Sequence, residues 1–336
     1  MRQFLDRLHS RQNLSEAEMQ QVMQSIMSGE ALREEVSSFL LALREKGPTV
    51  EEITGAARIM RQFVVGIKPA RPVVLDTCGT GGDKSNTFNI STVTAFVVAG
   101  ADVAVAKHGN RSVSSRCGSA DILEALGINL AMDAARLQQC LDEIGIVFLF
   151  AQRLHPAMKN VAAIRKELGV ETIFNILGPL TNPAQATHQM IGVYSRQLVE
   201  PMAQVLKNLG LKRALVVHGH DGLDEITTTG LTHMCEFNGE ELLSYDIDPS
   251  EVGLATALPE ELKGGDVAES VAIFQGVLEG EPGPRRDIVL LNAAYALYIS
   301  ERVTSIEDGL TMAADSIDSG KAKGKLQALK DFSHGQ

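Results

Sequence analysis

The sequence is poor in cysteine. Cys78, Cys117, Cys140 and Cys235 form no Cys-x-x-Cys pair, which argues against a zinc site and a disulfide framework and leaves reduced thiols. No apolar run approaches the roughly 20 residues that a membrane helix needs. The opening stretch Met1 to Ser10 carries charges through any would-be apolar core, so no secretory signal peptide is expected and the cytoplasm is the expected location. Positive charge is also in deficit: 31 basic against 42 acidic side chains give a net charge of -11, which repels phosphate backbones and anionic membranes. Neither nucleic acid nor membrane is an expected partner. There is no internal repeat, no low-complexity tract, no nucleophile triad and no paired-carboxylate acid and base. A chain of 336 residues that is 44% hydrophobic and 22% charged is neither disordered nor collagen-like, and it is long enough for about two domains.

Residues 1–68 read as helices only. Ser15-x-x-Glu18 and Thr49-x-x-Glu52 are capping boxes, in which a hydroxyl accepts a helix N–H and the Glu reaches back to the cap. Gly29 and Gly47 stand where helices stop, and the helical unit ends near Val65. Lys68-Pro69-Ala70-Arg71-Pro72 then interrupts the pattern, which makes it the first candidate domain boundary. Beyond it, β-rich runs at 73–76, 103–107, 146–150, 189–194 and 214–218 alternate with helical patterns, the signature of a parallel sheet covered by helices on both faces. Runs at 232–237 and 240–245 flank Asn238-Gly239, a two-residue hairpin turn, and the last third returns to helix, as at 266–279 and 286–300.

Chemistry concentrates in three stretches. After the first run come Gly79, Gly81 and Gly82, and a helix begins near Asn89. Glycines let the backbone approach a ligand, and a helix start offers N–H groups and a positive dipole end, so this is either a diphosphate cradle or a tight turn without a ligand. A P-loop is excluded because Lys84 follows Asp83, and a dinucleotide fingerprint fails because Lys84 stands at its third glycine.

The second stretch runs from Lys107 to Ser119 and holds His108, Arg111 and Arg116, with no acid between Asp102 and Asp121. In a chain this acidic, such a segment is the expected anion site, the alternative being a solvated loop. Lys107 and Arg111 suit phosphate oxygens, and Ser112, Ser114, Ser115 and Ser119 add hydroxyl donors. The third stretch, His218-Gly-His220 followed by Asp221, Asp224 and Glu225, suits Mg²⁺ beside a polyphosphate; a transition-metal hydrolase centre or a turn with solvated acids are its alternatives.

Taken together, Gly79-Thr-Gly-Gly-Asp83, Asn89-Ile-Ser-Thr92, Lys107-His-Gly-Asn-Arg111 with Val113-Ser-Ser115, Gly118-Ser-Ala-Asp121, Asn175-Ile-Leu-Gly-Pro-Leu-Thr-Asn-Pro183 and Asp221-Gly-Leu-Asp-Glu225 resemble the anthranilate phosphoribosyltransferase family. The match holds in order and spacing over nearly the whole chain. It implies transfer of the phosphoribosyl group from 5-phosphoribosyl 1-diphosphate (PRPP) to the amine of anthranilate in tryptophan biosynthesis, with Mg²⁺ and as a homodimer. It also implies an α/β fold like that of pyrimidine nucleoside phosphorylases. A small all-helical domain, residues 1–68 with 160–188, would join a larger α/β domain with a mostly parallel central sheet, residues 72–158 with 189–336.

By the same resemblance, Lys107 and His108 are the catalytic positions. PRPP would be held by Gly79, Gly82, Asp83, Thr87, Asn89, Ile90, Ser91, Thr92, by Lys107, His108, Gly109, Asn110, Arg111, Ser112, Val113, Ser114 and Ser115, and by Ser119. Ser91, Asp224 and Glu225 would hold Mg²⁺, and Gly79, Asn110 and Arg165 would contact anthranilate. Arg165 lies in the helical pattern 156–168, where an Arg by itself reads as a solvated face. The nearest rival is a pyrimidine nucleoside phosphorylase. Such enzymes typically read Lys-x-Ser-Gly-Arg where this chain reads Lys107-His-Gly-Asn-Arg111.

Overall fold

The computed structural model describes residues 1–83, 85–111 and 117–335. Helices α1 (Arg2–His9), α2 (Glu16–Ser28), α3 (Arg33–Lys46) and α4 (Val50–Gln62) form the opening layer. Both capping boxes are made. Glu18 N donates to Ser15 Oγ and Glu52 N to Thr49 Oγ1, each at 3.3 Å. Glu52 does more than cap: fully buried, its carboxylate accepts from Thr49 N at 2.7 Å, from Leu14 N at 2.8 Å and from the Lys46 ammonium at 2.8 Å. One side chain therefore ties the start of α4, the end of α3 and the approach to α2 together. An ion pair this buried holds because its hydrogen bonds replace the lost water.

The rest of the chain alternates strand and helix: β1 (Leu75–Gly79), α5 (Ile90–Gly100), β2 (Val105–Gly109), α6 (Ser119–Ala125), α7 (Ala134–Ile144) and β3 (Ile146–Phe150). Then follow the one-turn α8 (Ala151–Leu154), α9 (Lys159–Leu168), the one-turn α10 (Phe174–Leu177), β4 (His188–Gly192), α11 (Val199–Asn208) and β5 (Arg213–Gly219). The hairpin β6 (Thr232–Phe237) and β7 (Leu242–Ile247) completes the sheet, and α12 (Val267–Leu278), α13 (Pro284–Ile299), α14 (Ile306–Asp318) and α15 (Lys321–His334) close the chain. Strand order is β3-β2-β1-β4-β5-β6-β7, parallel from β3 to β5 and antiparallel at the β6-β7 margin. No described helix is long and apolar enough to cross a membrane.

The sheet is covered on both faces, which is why its strands read as continuous apolar runs. Along β5, Leu215 and Val217 enter the core built with α5, α13, α14 and α15, while Ala214 and Val216 enter a second core shared with α11 and the opening helices. Side chains alternate across a strand, so one run serves both layers.

Several boundaries differ from the sequence expectation. The first strand occupies Leu75–Gly79 rather than 73–76, because pairing of Leu75 with His188 through Gly79 with Gly192 selects the segment. The second hairpin strand begins at Leu242, since Asn238 Oδ1 accepts from Glu240 N and Glu241 N and makes a four-residue connection instead of a two-residue turn. The pattern at 156–168 breaks into a short 3₁₀ turn, Pro156–Met158, followed by α9.

Replacing Glu52 with Ala removes the carboxylate from the Lys46 ammonium, which keeps Asn13 Oδ1 and the Gly47 carbonyl, and leaves Leu14 N and Thr49 N without their acceptor. Denaturant unfolding followed by circular dichroism is expected to show a loss of about 3 kcal/mol. A loss near zero would mean that Glu52 does not link the helices.

Candidate active site at the carboxyl ends of the parallel strands

Chain direction across the sheet reverses between β1 and β4, and in open α/β sheets such a switch point opens a crevice at the carboxyl ends of the strands. Here β1 ends at Gly79 and β4 at Gly192, which are register partners. The Asp224 segment lies directly over both. A Cβ on Gly192 would stand 1.5 Å from the Asp224 carbonyl oxygen, and one on Gly79 would stand 2.4 Å from Asp224 Oδ2. Only glycine admits the acid to this position.

From there a chain of hydrogen bonds links all three stretches. Gly81 N donates to Asp224 Oδ2 at 2.8 Å, and Ser91 N, in the first turn of α5, donates to Glu225 Oε1 at 3.0 Å. Lys107, buried on β2, donates through Nζ to the Thr77 carbonyl at 2.6 Å and to Ser91 Oγ at 3.2 Å. Burial, reinforced by the charges of Asp83 and Glu225, pushes the Asp224 carboxyl well above the usual carboxylate range. Glu225 is pushed up to about 7 by burial, an effect tempered by Lys107. Lys107 in turn is drawn below its ordinary value by burial, against the opposing pull of Asp76, Cys78, Glu225 and Asp224. Asp76, Asp224 and Glu225 thus all lie within electrostatic reach of one buried ammonium, that of Lys107.

Such an excess of buried oxygen anions fits a hard divalent cation. Among the described residues no group of three or more His, Cys, Asp or Glu is arranged to hold a metal ion alone. An ion here would complete its shell with water and substrate oxygens, the habit of Mg²⁺ at phosphate sites. The transition-metal alternative has no support in the geometry. His218 Nδ1 pairs with the Val193 carbonyl at 2.7 Å, and His220 Nε2 lies 3.7 Å from Asp246. Asp221 does not join the acid pair either; its carboxylate receives the hydroxyls of Thr227 and Thr229 and Leu223 N, and so shapes its own loop.

At the anion cradle several groups already have partners within the chain. The N–H groups at the start of α5 already have acceptors: Ile90 N binds the Phe88 carbonyl, Ser91 N binds Glu225 and Thr92 N binds the Asn89 carbonyl. A carboxylate sits at the positive helix end because the dipole favours it there. Gly81 and Gly82, with φ of 66° and 85°, are exposed and have open space around them, so that part of the loop is accessible. Arg111 turns toward α6, pairing with Asp121 at 2.8 Å and Glu124 at 2.9 Å, since acids one helix away compensate its charge. Asn110 and Ser119 meet at the same turn, Ser119 Oγ donating to the Asn110 carbonyl at 3.2 Å. Asn89 Nδ2 donates to the Cys117 carbonyl, and Thr87 pairs as an isolated bridge with Lys263. Ser112, Val113, Ser114 and Ser115 lie outside the described residues.

The remaining candidates form a neighbouring wall. His108 Nε2 lies 3.0 Å from His155 Nε2, and its ring also hydrogen-bonds the Gly178 backbone. Burial, with the charges of His155 and Lys107 adding to it, lowers His108 to about 3, and burial lowers His155 to about 4. The pair is therefore neutral at physiological pH, one ring donating and the other accepting. Arg165 is half-buried rather than solvated: it donates to Asn175 Oδ1 at 3.4 Å and stands 5.5 Å from the Phe174 ring centroid. The turn from Asn175 to Asn182 thereby joins Arg165 to His108.

Comparison with known proteins bears on the chain as a whole. A family model described as a glycosyl transferase helical bundle domain matches residues 2–64, and one described as a glycosyl transferase a/b domain matches residues 71–323. Anthranilate phosphoribosyltransferase of Symbiobacterium thermophilum is 52% identical over 334 residues, covering 99% of this chain and 98% of its own. The chain belongs to the anthranilate phosphoribosyltransferase family. The crystal structure of the anthranilate phosphoribosyltransferase from Thermus thermophilus matches with a TM-score of 0.93 at 41% identity, over 98% of this chain and 99% of that one. The anthranilate phosphoribosyltransferase of Saccharomyces cerevisiae in complex with PRPP and Mg matches with a TM-score of 0.91 at 29% identity, over 98% and 97% of the two chains.

Against the anthranilate phosphoribosyltransferase frame, sequence reasoning passed over Gly192, His155 and the 262–264 segment. Phe88 N donates to the Leu262 carbonyl and Gly264 N to the Asn86 carbonyl, so this segment pins the end of the glycine loop. Gly192 carried a usable signal, because β1, β2, β4 and β5 all end in glycine. His155, a lone histidine before a proline, carried none.

The ordinary value for both rings is 6.5, so below that pH the unfolded chain binds protons that the folded chain refuses. Stability from the pair is present above pH 6.5 and is lost as the pH falls toward 4. Thermal melts across that window should show a shallower acid loss for His155→Gln than for the unmodified chain. Parallel curves would mean that the pair is not kept neutral by the fold.

Proposed function

We propose that the protein transfers the 5-phosphoribosyl group of PRPP to the amine of anthranilate, giving N-(5-phosphoribosyl)anthranilate and diphosphate in tryptophan biosynthesis. The observation that carries this reading is the position of Ser91, whose backbone meets Glu225 while its hydroxyl meets Lys107. Hydrogen bonds thereby link the glycine loop, the cationic strand end and the acid pair at the carboxyl ends of the parallel strands, which supports the reading. Ser91, Asp224 and Glu225 would hold Mg²⁺, which bound here supplies charge neutralisation for a departing diphosphate. PRPP would lie along Gly79, Gly82, Asp83, Thr87 and Asn89 to Thr92, and along Lys107 to Ser115 with Ser119. Gly79, Asn110 and Arg165 would face anthranilate.

As diphosphate leaves, the ribose C1 becomes oxocarbenium-like and negative charge collects on the leaving oxygens. Lys107 acts in a site poor in water, where a preorganised charge is worth far more than in solution. The His108 and His155 rings, neutral as they are, add no positive charge beside the cationic sugar. Arg165 meets the carboxylate of anthranilate, turning the amine lone pair toward C1. That amine is uncharged at neutral pH, so positioning replaces a strong general base. The division into a helical domain, 1–68 with 160–188, and an α/β domain, 72–158 with 189–336, is part of the same reading. So are a cytoplasmic location and a homodimer formed through the opening helices.

Mixing the protein with PRPP, Mg²⁺ and anthranilate and following the loss of anthranilate fluorescence tests the reading. Turnover that EDTA abolishes is expected, and a stable signal at high protein concentration would overturn it. Lys107→Ala should lower kcat/KM by something on the order of 2.7 to 4 kcal/mol, and steady-state turnover close to that of the unmodified protein would remove it from the mechanism. Arg165→Ala should raise the KM for anthranilate far more than that for PRPP. Equal increases would count against its placement.

A further inference from the structure

Asparagine is a poor helix former, and a buried amide must be hydrogen-bonded to be tolerated. Asn292 nevertheless sits fully buried in the middle of α13. Its Oδ1 accepts from Ile226 N at 3.1 Å, and its Nδ2 donates to the Ile226 carbonyl and to the Ile288 carbonyl, each at 2.8 Å. Both backbone groups of one residue are thus held by one side chain. That residue directly follows Glu225, and the Ile226 N–H belongs to the same peptide unit as the Glu225 carbonyl. The clamp therefore fixes the peptide plane from which the Glu225 side chain departs.

Helix α13 also packs against α5, the helix whose first turn carries Ser91. The 3.0 Å bond between Ser91 N and Glu225 joins two segments that both contact α13. We propose that Asn292 is a positioning residue for the acid pair, holding Asp224 and Glu225 where they receive the divalent cation that accompanies a sugar diphosphate. The proposal rests on the functional reading above. Asn292 itself touches neither substrate nor cation.

Groups behind a metal site that orient its ligands commonly change affinity about tenfold or more when removed. Two measurements separate positioning from mere folding. One is the Mg²⁺ concentration for half-maximal rate at saturating PRPP and anthranilate. The other is calorimetric binding of PRPP with and without Mg²⁺, which needs no turnover. Ser316→Ala serves as the matched control, because buried Ser316 donates to the Val97 carbonyl of α5 at 2.7 Å, away from the acids.

Asn292→Ala is expected to raise the half-activating Mg²⁺ concentration about tenfold and to erase most of the Mg²⁺-dependent gain in PRPP affinity, with the KM for anthranilate little changed. Ser316→Ala should lower the melting temperature without moving the Mg²⁺ response. If the alanine variant does not accumulate, Asn292→Leu, which fills the space of the amide, replaces it. A folded Asn292 variant with an unaltered Mg²⁺ response overturns the proposal. So does an equal change in Ser316→Ala, or failure of both Asn292 variants to fold, since either result leaves Asn292 a folding role alone. If the unmodified protein binds PRPP without regard to Mg²⁺, the functional reading fails and this inference falls with it.

Discussion

Burying negative charge at the switch point of the sheet is the constraint around which the rest of the molecule is arranged. A carboxylate taken from water costs several kcal/mol unless hydrogen bonds or opposite charge replace the lost hydration. Asp224 receives one backbone N–H and Glu225 another, the second from the positive end of a helix. Lys107 is the nearby cation, and it is itself buried and tied to Ser91 and the Thr77 carbonyl. The compensation is incomplete, which is why burial leaves both acids above the ordinary carboxylate range. A site in that condition has a standing affinity for positive charge.

Holding such a site requires stiffness behind it, and the layered architecture supplies that. The sheet packs on two cores, one with α5, α13, α14 and α15 and one with α11 and the opening helices. Four of the five parallel strands end in glycine, so their carboxyl ends leave room for the segments that cross above them. The neighbouring wall is fixed by a buried polar network. Gln189 donates to Asp76 at 3.0 Å and to the Pro179 carbonyl at 2.6 Å, and Asn182 donates to the Ala106 carbonyl at 2.8 Å. Asp76 also receives the backbone N–H of His108 at 3.0 Å. The turn that carries Asn175 and Gly178 is thus anchored to β1, β2 and β4 together.

Much of the fold was legible residue by residue. The two capping boxes form, Gly29 and Gly47 end α2 and α3 at positive φ, and alternating strands and helices give the parallel sheet with its antiparallel margin. These features depend on neighbours a few positions away, where propensity and pattern act directly. Strand limits were less legible. Pairing with a strand more than a hundred residues distant chose Leu75–Gly79 over the more β-rich residues before it.

The sequence by itself determined which chemistry was available: a glycine loop before a helix, a cationic strand end and a pair of adjacent acids, in an order that resembles one enzyme family. It could not determine which way each group turns, because hydrogen bonds and charge pairing across long sequence separations decide that. Arg111 pairs with α6, Asp221 closes its own loop, His108 meets His155, and Asn292 grips the residue after Glu225. Each of these contacts joins residues whose proximity exists only once the sheet has brought distant segments together, so only the tertiary structure could assign them.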